Sequence, residues 1–293
     1  MDGIINVNKP LGITSHDVVY RLRKILSIKK IGHTGTLDPD ASGVLPMCIG
    51  KGTKLAEYLT AKDKQYLAVL KLGAFTDTQD ASGEIIESFD VTATEKEICD
   101  TVKGFVGNIM QIPPMYSAIK VDGKKLYELA REGKTVERKP REVTVNNIEI
   151  KNIDMEENIV EMLIDCSKGT YIRTLCNDIG AVLGCGGYMA SLKRTKSGRF
   201  DIKDSFTLEK IEKMAGENDF SFMVSVGEAL SEYEKIVLAD KNAQRVRNGI
   251  KISVEGLNDD EIYRVFDEQR EFLALAQQTE NGFMIIKSFY GGA

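Results

Sequence analysis

Apolar residues recur at two spacings along the chain, and each spacing predicts one type of element. Three stretches carry an apolar residue at every third or fourth position, which is the spacing of an amphipathic helix: residues 15–26, Ile98 to Val106 and Ile172 to Leu183. Thr14 or Ser15 would cap the first helix, and Thr94 with Glu97 has the spacing of a capping box ahead of the second. We therefore predict a helix in each stretch.

Two other stretches alternate apolar and polar residues, which is the period of a strand with one buried face. Residues 64–72 place Tyr66, Ala68 and Leu70 on one face, and residues 158–166 alternate in the same way. The third predicted helix follows soon after the second strand, so the segment between them is expected to direct side chains into a cleft. Helices and strands interspersed in this manner predict an α+β fold.

Chain length and a change of pattern predict a second, smaller unit. A chain of 293 residues with 42% hydrophobic content exceeds the usual size of one domain. After Leu230 the pattern changes to short strand-like pieces separated by turn residues, at residues 262–266, 271–276 and 283–286. We expect a large domain over residues 1–231 and a small β domain over residues 232–293.

The net charge of −5 does not by itself suggest a nucleic-acid partner, but the charges are unevenly distributed. Local clusters matter because attraction between charges is screened beyond about 10 Å. Basic residues dominate three runs, at residues 21–30, 120–141 and 193–199, whereas acidic residues cluster between 259 and 271. Such runs are compatible either with solvated faces or with contacts to phosphates.

The chain shows no sign of export or membrane insertion. Its N-terminus lacks a basic region followed by a long apolar run, and no stretch approaches the ~20 apolar residues that span a membrane. The 5 cysteines form no CxxC pair, which fits small buried residues in a reducing compartment. We expect a cytoplasmic protein.

The richest candidate chemistry lies in residues 32–43, GHTGTLDPDASG, where His33 and Asp38 stand among Gly, Thr, Pro and Ser. Glycines permit positive φ angles or close backbone approach, and Pro39 stiffens the chain beside Asp38. Asp38 and Asp40 either close turns through their side chains or present a carboxylate for chemistry. The loop alone leaves both interpretations open.

Spacing disfavours the rival sites for this region. A calcium loop that begins at Asp38 would need a glutamate at its twelfth position, which is Ile49. A phosphate loop ending near residue 52 would need glycine where Leu45 stands. With 2 histidines and no CxxC pair, a zinc site is also disfavoured. A carboxylate therefore remains the best candidate for chemistry.

Five sequence blocks resemble the TruB-type tRNA pseudouridine synthases. In chain order they are NKPLGITS (8–15), GHTGTLDPDASGVLP (32–46), KQY (64–66), QIPPMYSAIKVDGKKLYELAREG (111–133) and SKGTYIRTL (167–175). The resemblance implies a mixed, largely antiparallel sheet flanked by helices, an RNA-clamping insertion at about 113–141, and a small β-barrel-like PUA domain at the C-terminus. It also implies conversion of uridine 55 in the T-loop of tRNA to pseudouridine, without cofactor or metal.

The resemblance further assigns residues to steps of this reaction, which must break the C1′–N1 bond, rotate the base and join C1′ to C5. Asp38 matches the nucleophile, Arg173 the arginine that pairs with it, expected here as a bidentate contact, and Tyr66 the aromatic residue that stacks on the flipped uracil. His33 matches the residue that fills the vacated position in the base stack. The matched supporting positions around the substrate are Lys9, Asp80, Tyr171, Leu175 and Leu192.

Two other functions stay open from the sequence. A non-catalytic tRNA-binding and folding chaperone would use the basic surfaces but would not need Asp38. A glycoside hydrolase would need a second carboxylate opposite Asp38, and Asp80 is a formal candidate. Within the resemblance, the expected partner is the T-arm and elbow of tRNA, and the protein is expected to be a monomer.

Overall fold

The computed structural model describes residues 1–117, 119–121, 123–280 and 282–290. The α-helices are α1 (Ser15–Leu26), α2 (Ala56–Thr60), α3 (Glu95–Gly104), α4 (Leu126–Arg131), α5 (Ile172–Val182), α6 (Leu208–Gly216) and α7 (Asp240–Arg247). The strands are β1 (Gly3–Lys9), β2 (Ile31–His33), β3 (Ala41–Ile49), β4 (Lys64–Leu72), β5 (Ala74–Thr76), β6 (Ile85–Ser88), β7 (Gly107–Gln111), β8 (Lys120–Val121), β9 (Lys124–Lys125), β10 (Arg141–Asp154), β11 (Ile159–Cys166), β12 (Gly187–Ser197), β13 (Phe200–Asp201), β14 (Met223–Val224), β15 (Glu234–Leu238), β16 (Ile262–Asp267), β17 (Phe272–Thr279) and β18 (Gly282–Ser288).

The larger sheet is mixed and largely antiparallel, with helices packed against it, as the resemblance implies. Its strand order is β14-β1-β3-β12-β4-β11-β10-β7, with β2 paired to β3 and β13 paired to β12. The pairing of β12 with β3 is parallel, whereas β12 pairs with β4 in the antiparallel sense. We call residues 32–43 the glycine loop. Strand β12 thus lies between β3, which follows Asp38 of this loop, and β4, which carries Tyr66.

The helices and strands predicted from periodicity are present. Thr14 caps α1 in a capping box with Asp17, and Thr94 caps α3 in the same way with Glu97. The apolar positions predicted for β4 and β11 lie on one buried face, for example Leu70 and Met162, which are both fully buried. Sequence periodicity therefore identified the strand that carries Tyr66 and its neighbour β11.

The insertion and the C-terminal part are more structured than the sequence indicated. Residues 113–141 contain the hairpin β8–β9 and the short helix α4. The small sheet has the order β15-β16-β17-β18, in which the last three strands were predicted and β15 was not. Helix α7 was also missed, because its buried apolar side is limited to Ala243 and Val246.

One apolar cluster joins the small sheet to the large one. Its buried members are Ile4, Val44, Cys48, Leu55, Leu59, Phe200, Val226, Ala229, Leu230, Leu275 and Phe289. Two lysines of the segment after β3 reinforce this contact, since Lys51 and Lys54 donate hydrogen bonds to the backbone carbonyls of Phe289 and Ser288. The C-terminal sheet is thereby packed onto the strand that leaves the glycine loop.

The cysteines behave as small apolar residues. Cys48, Cys166, Cys176 and Cys185 are buried and unpaired, and Cys99 is partly exposed. Burial raises the pKa of Cys48, Cys166 and Cys176 to about 12, so these thiols are poor nucleophiles.

The helices of the described residues were compared with the length and hydropathy that a membrane span requires, and none of them meets both requirements.

Candidate active site

The glycine loop connects β2 to β3, which pair as antiparallel neighbours. Leu37 anchors the middle of the loop: it is buried, its N–H donates to Ser15 Oγ at 2.8 Å, and Ser15 Oγ donates to its carbonyl at 3.0 Å. The Pro39 carbonyl accepts a hydrogen bond from the Gly12 N–H at 2.9 Å. With both neighbours held, Asp38 projects from a fixed backbone, and about half of its side chain is exposed.

Arg173 lies in the first turn of α5 and contacts Asp38 from inside the protein. Its Nη2 atom is 3.3 Å from Asp38 Oδ2, and its Nη1 atom is 3.2 Å from Asp80 Oδ2. The expected bidentate contact with Asp38 is therefore wrong, because the two ends of the guanidinium are shared between two carboxylates. Nη2 also donates to the Tyr116 carbonyl at 2.8 Å, which ties the insertion to this site.

Asp80 is fully engaged by neighbouring groups. Its Oδ1 atom accepts hydrogen bonds from the Thr78 hydroxyl at 2.7 Å and from the hydroxyl and N–H of Ser82 at 2.6 and 3.1 Å. Its Oδ2 atom faces Arg173. A carboxylate with both oxygens occupied is poorly placed to act as the acid of a glycoside hydrolase, so the geometry favours a supporting role.

Tyr66 and Leu192 lie where the two main apolar clusters of the large sheet meet, and both side chains are half-buried. Tyr66 pairs with Arg194 across β4 and β12, and Leu192 pairs with Ala41 across β12 and β3. Burial raises the pKa of Tyr66, and the nearby charge and hydrogen bonding of Arg194 oppose that rise. Leu175, by contrast, lies on the buried side of α5 and is fully buried in the core.

Lys9 is fully buried and directs its ammonium group into the protein. It donates to the carbonyls of Pro10, Ile13 and Pro39 at 2.9, 2.7 and 3.4 Å. Burial lowers its pKa to about 8, against the opposing effect of the Asp38 carboxylate. The observed contacts of Lys9 thus hold two loops together beneath Asp38.

The two histidines have different surroundings. His33 ends β2 and is half-buried, and its Nδ1 atom accepts a hydrogen bond from the Gly35 N–H at 3.4 Å. Burial, together with the charge of Arg194, lowers the pKa of His33, so its ring is neutral at pH 7. His16 is exposed in the first turn of α1. A neutral planar ring at the edge of the glycine loop suits stacking better than ion pairing.

Tyr171 precedes α5, and a residue without a role in the sequence analysis fixes its backbone. The Gln111 side chain accepts a hydrogen bond from the Tyr171 N–H at 3.0 Å and donates to its carbonyl at 3.2 Å. Gln111 is almost fully buried at the end of β7. This pair sets the start of α5 and thereby the position of Arg173. Gln111 is the first residue of the block QIPPMYSAIKVDGKKLYELAREG, so the resemblance included this position. Nothing in the sequence indicated that Gln111 would bind the backbone of Tyr171.

The third basic run is not uniformly a surface feature. Lys193, Lys196 and Arg199 are exposed, but Arg194 is buried at 1% exposure. Sequence analysis grouped these residues because they are close together in the chain. Side chains alternate between the two faces of β12, however, and Arg194 lies on the inner face. Arg194 therefore lies beneath the candidate site and not on the protein surface.

Comparison with protein families covers nearly the whole chain. Residues 23–172 match the family described as TruB family pseudouridylate synthase (N terminal domain). Residues 173–233 match the tRNA pseudouridylate synthase B C-terminal domain, and residues 235–285 match the domain described as Pseudouridine synthase II TruB, C-terminal.

Comparison with individual proteins agrees with the family matches. The chain is 44% identical over 293 residues to tRNA pseudouridine synthase B of Clostridium kluyveri, covering 99% of this chain and 100% of that protein. It is 49% identical over 252 residues to the protein of the same name from Alkaliphilus oremlandii, covering 86% and 83%. Among solved structures, an H/ACA RNP bound to a substrate RNA containing 2′-deoxyuridine includes a chain with a TM-score of 0.75 at 25% identity, covering 99% of this chain and 85% of that one.

Proposed function

Because this chain belongs to the TruB family of tRNA pseudouridine synthases, which are isomerases, we propose that it converts uridine 55 in the T-loop of tRNA to pseudouridine. The observation that carries this proposal is the contact between Asp38 and Arg173. An exposed carboxylate is held by a buried guanidinium, on a loop whose neighbouring residues are anchored. A binding protein without chemistry would not require this arrangement.

Asp38 is the proposed nucleophile. The reaction needs a group that attacks the sugar or the base, so that the C1′–N1 bond breaks and the base can rotate before C1′ joins C5. Arg173 holds one oxygen of Asp38 in a fixed direction, which leaves the rest of the carboxylate open to substrate. Asp80 in turn holds the other end of the guanidinium, so it supports Arg173 and does not react.

Tyr66 is the proposed stacking platform for the flipped uracil. Its ring is half-buried on β4, and Leu192 from β12 lies on the same face of the sheet. A base placed against these two side chains would be screened from water while it rotates. Leu175 supports this wall from the core, and Tyr171 and Lys9 define its edges through their backbone and loop contacts.

His33 is proposed to occupy the position that the flipped base leaves. Extrusion of a base costs a few kcal/mol, which contacts made only in the flipped state must offset. A neutral imidazole beside the glycine loop can replace the lost stacking without burying a charge. This proposal assigns His33 to substrate access and not to proton transfer.

We further propose that residues 1–231 form the catalytic domain, with residues 113–141 closing on the T-arm, and that residues 232–293 form a PUA-like RNA-binding domain. The proposed active site is complete within one chain, since Asp38, Tyr66 and Arg173 need no residue from a second copy. This supports action as a monomer. A tRNA substrate would place the protein in the cytoplasm.

The test is pseudouridine formation by the purified protein on an unmodified tRNA transcript. Carbodiimide treatment followed by primer extension should reveal one new stop, at the T-loop uridine. A transcript with cytidine at that position is the matched control and should show none. Binding without modification would favour the chaperone function, and modification at another uridine would contradict the proposed substrate position.

A further inference from the structure

Arg194 is a buried cation that forms no ion pair with any residue that the structure describes. Its side chain is among the largest that are fully buried in the protein. Among the described residues no carboxylate forms an ion pair with it, although buried guanidinium groups are normally paired because desolvation of a charge is costly. Two of its hydrogen bonds go to backbone carbonyls: Nε donates to Val44 at 2.7 Å and Nη2 donates to Gly35 at 3.2 Å.

These two carbonyls flank the loop that carries Asp38. Gly35 precedes Asp38 by three residues and Val44 follows it by six, so one guanidinium spans both ends of the loop. The backbone of Arg194 makes a second contact there, because β12 pairs with β3 in register Arg194 to Gly43. Gly43 has φ +104°, and a Cβ atom at this position would overlap the Arg194 carbonyl oxygen. The loop and Arg194 therefore fit each other closely.

Strand β12 pairs with β3 along one edge and with β4 along the other edge, where Arg194 lies opposite Tyr66. The two residues are partners across the antiparallel pair of β12 and β4, so their side chains lie on one face of the sheet. The guanidinium is close enough to the phenol for its charge and hydrogen bonding to counteract the effect of burial on the Tyr66 pKa. Arg194 is thus the one described side chain that contacts both ends of the Asp38 loop and also adjoins the Tyr66 hydroxyl.

We propose that Arg194 is a positioning residue for the isomerisation, which fixes the Asp38 loop and the Tyr66 ring relative to each other from within the protein. This inference rests on the proposed function for its catalytic consequence. Arg194 does not touch the RNA, since its side chain is buried. Its effect should therefore appear in the rate of the bound complex and not in tRNA affinity.

A lysine would not replace it. The guanidinium offers several donors in one rigid plane and stays charged, whereas an ammonium group is a single point that loses its proton readily when buried. Lys9 and Lys64 lie near enough to feel its charge, and burial already lowers the pKa of each to about 8. A third ammonium at position 194 would bridge at most one end of the loop and would be partly neutral.

The test compares Arg194→Met and Arg194→Lys with the wild-type chain. Hydrogen exchange measured by mass spectrometry should increase in peptides covering residues 35–44 in both variants. The single-turnover rate on saturating tRNA should fall by about 100-fold, the loss typical of misplaced reacting groups. The dissociation constant for tRNA should change less than ~2-fold. Lys203→Met, which removes an exposed cation after β12, is the control and should change none of these values.

A double-mutant cycle with Tyr66→Phe separates positioning from general destabilisation. If Arg194 acts through Tyr66, then Arg194→Met should slow the Tyr66→Phe chain much less than it slows the wild type. Additive losses, unchanged exchange in residues 35–44, or weaker binding with a reduced salt dependence would each overturn the proposal. If Arg194→Met does not fold, the same measurements and the same cycle are made with Arg194→Lys.

The exchange measurement does not depend on activity. Wild-type protein that modifies no T-loop uridine would refute the proposed function while leaving the loop contact testable. Wild-type protein that modifies its uridine, with Arg194 variants as fast as wild type, would refute this inference alone.

Discussion

Arg173 Nη2 lies 3.3 Å from Asp38 Oδ2, and the two side chains differ sharply in exposure, 9% for Arg173 and 47% for Asp38. The cation is therefore held by the protein, whereas the carboxylate faces the solvent from which RNA would arrive. An ion pair of this type can orient a reactive group without blocking access to it.

Replacement of Asp38 by Asn should abolish pseudouridine formation and leave tRNA affinity within ~2-fold of wild type. The amide keeps the size of the side chain but is not nucleophilic. Asp40→Asn is the matched control, since Asp40 is exposed two residues away, and it should retain activity. Comparable single-turnover rates for Asp38→Asn and wild type would contradict the assigned role.

Replacement of Arg173 by Ala or by Lys should reduce the single-turnover rate far more than tRNA affinity. Lysine has one nitrogen and cannot contact Asp38 and Asp80 together, so it should not restore activity. The salt dependence of binding should be unchanged. If the slope of log affinity against log salt instead fell by about one, with chemistry intact, Arg173 would be a phosphate contact.

His33→Phe should preserve more activity than His33→Ala, because a phenyl ring can still stack in the gap left by the flipped base. Fluorescence of 2-aminopurine placed next to the target uridine would report the flipping step. Equal loss in both variants would indicate that the imidazole acts through a hydrogen bond and not through stacking.

Lys64 should make stability depend on pH. Burial lowers its pKa from 10.5 to about 8 in the folded protein, so the unfolded chain binds more protons between these values. The burial penalty is present in full below about pH 8 and is relieved as the pH rises towards 10.5. The free energy of unfolding in urea, relative to that of Lys64→Met, should therefore increase over this range. Lys203→Met, at an exposed site, should show no such trend relative to wild type.

Leu275→Ala should destabilise the whole chain by about 2–5 kcal/mol, the usual cost of a cavity at a fully buried leucine. The residue lies in the small sheet, but it belongs to the same buried cluster as Val44 and Cys48 of β3. One cooperative urea transition shifted to lower concentration is expected. Met284→Ala, at an exposed position of β18, is the control. Separate transitions for the two sheets would contradict a shared core.

Much of the fold was accessible from the sequence because local rules agree with it. Thr14 and Thr94 begin helices by capping, and β4 and β11 show the alternation of strands with one buried face. Asp38 was selected as the candidate nucleophile because its loop has an unusual composition and resembles a family motif. Arg194 was missed because its partners are the backbone carbonyls of Gly35 and Val44, which are identified neither by residue type nor by spacing.

The buried cluster that contains Phe289 together with Val44 and Cys48 has a consequence for synthesis on the ribosome. Chains emerge N-terminus first, so β3 and its glycine loop are made long before the residues that cover one side of that strand. Until the last strand has been released, this part of the core is open to water. The active site is therefore expected to mature only after translation ends, and nascent or prematurely terminated chains should be targets for chaperones and proteases.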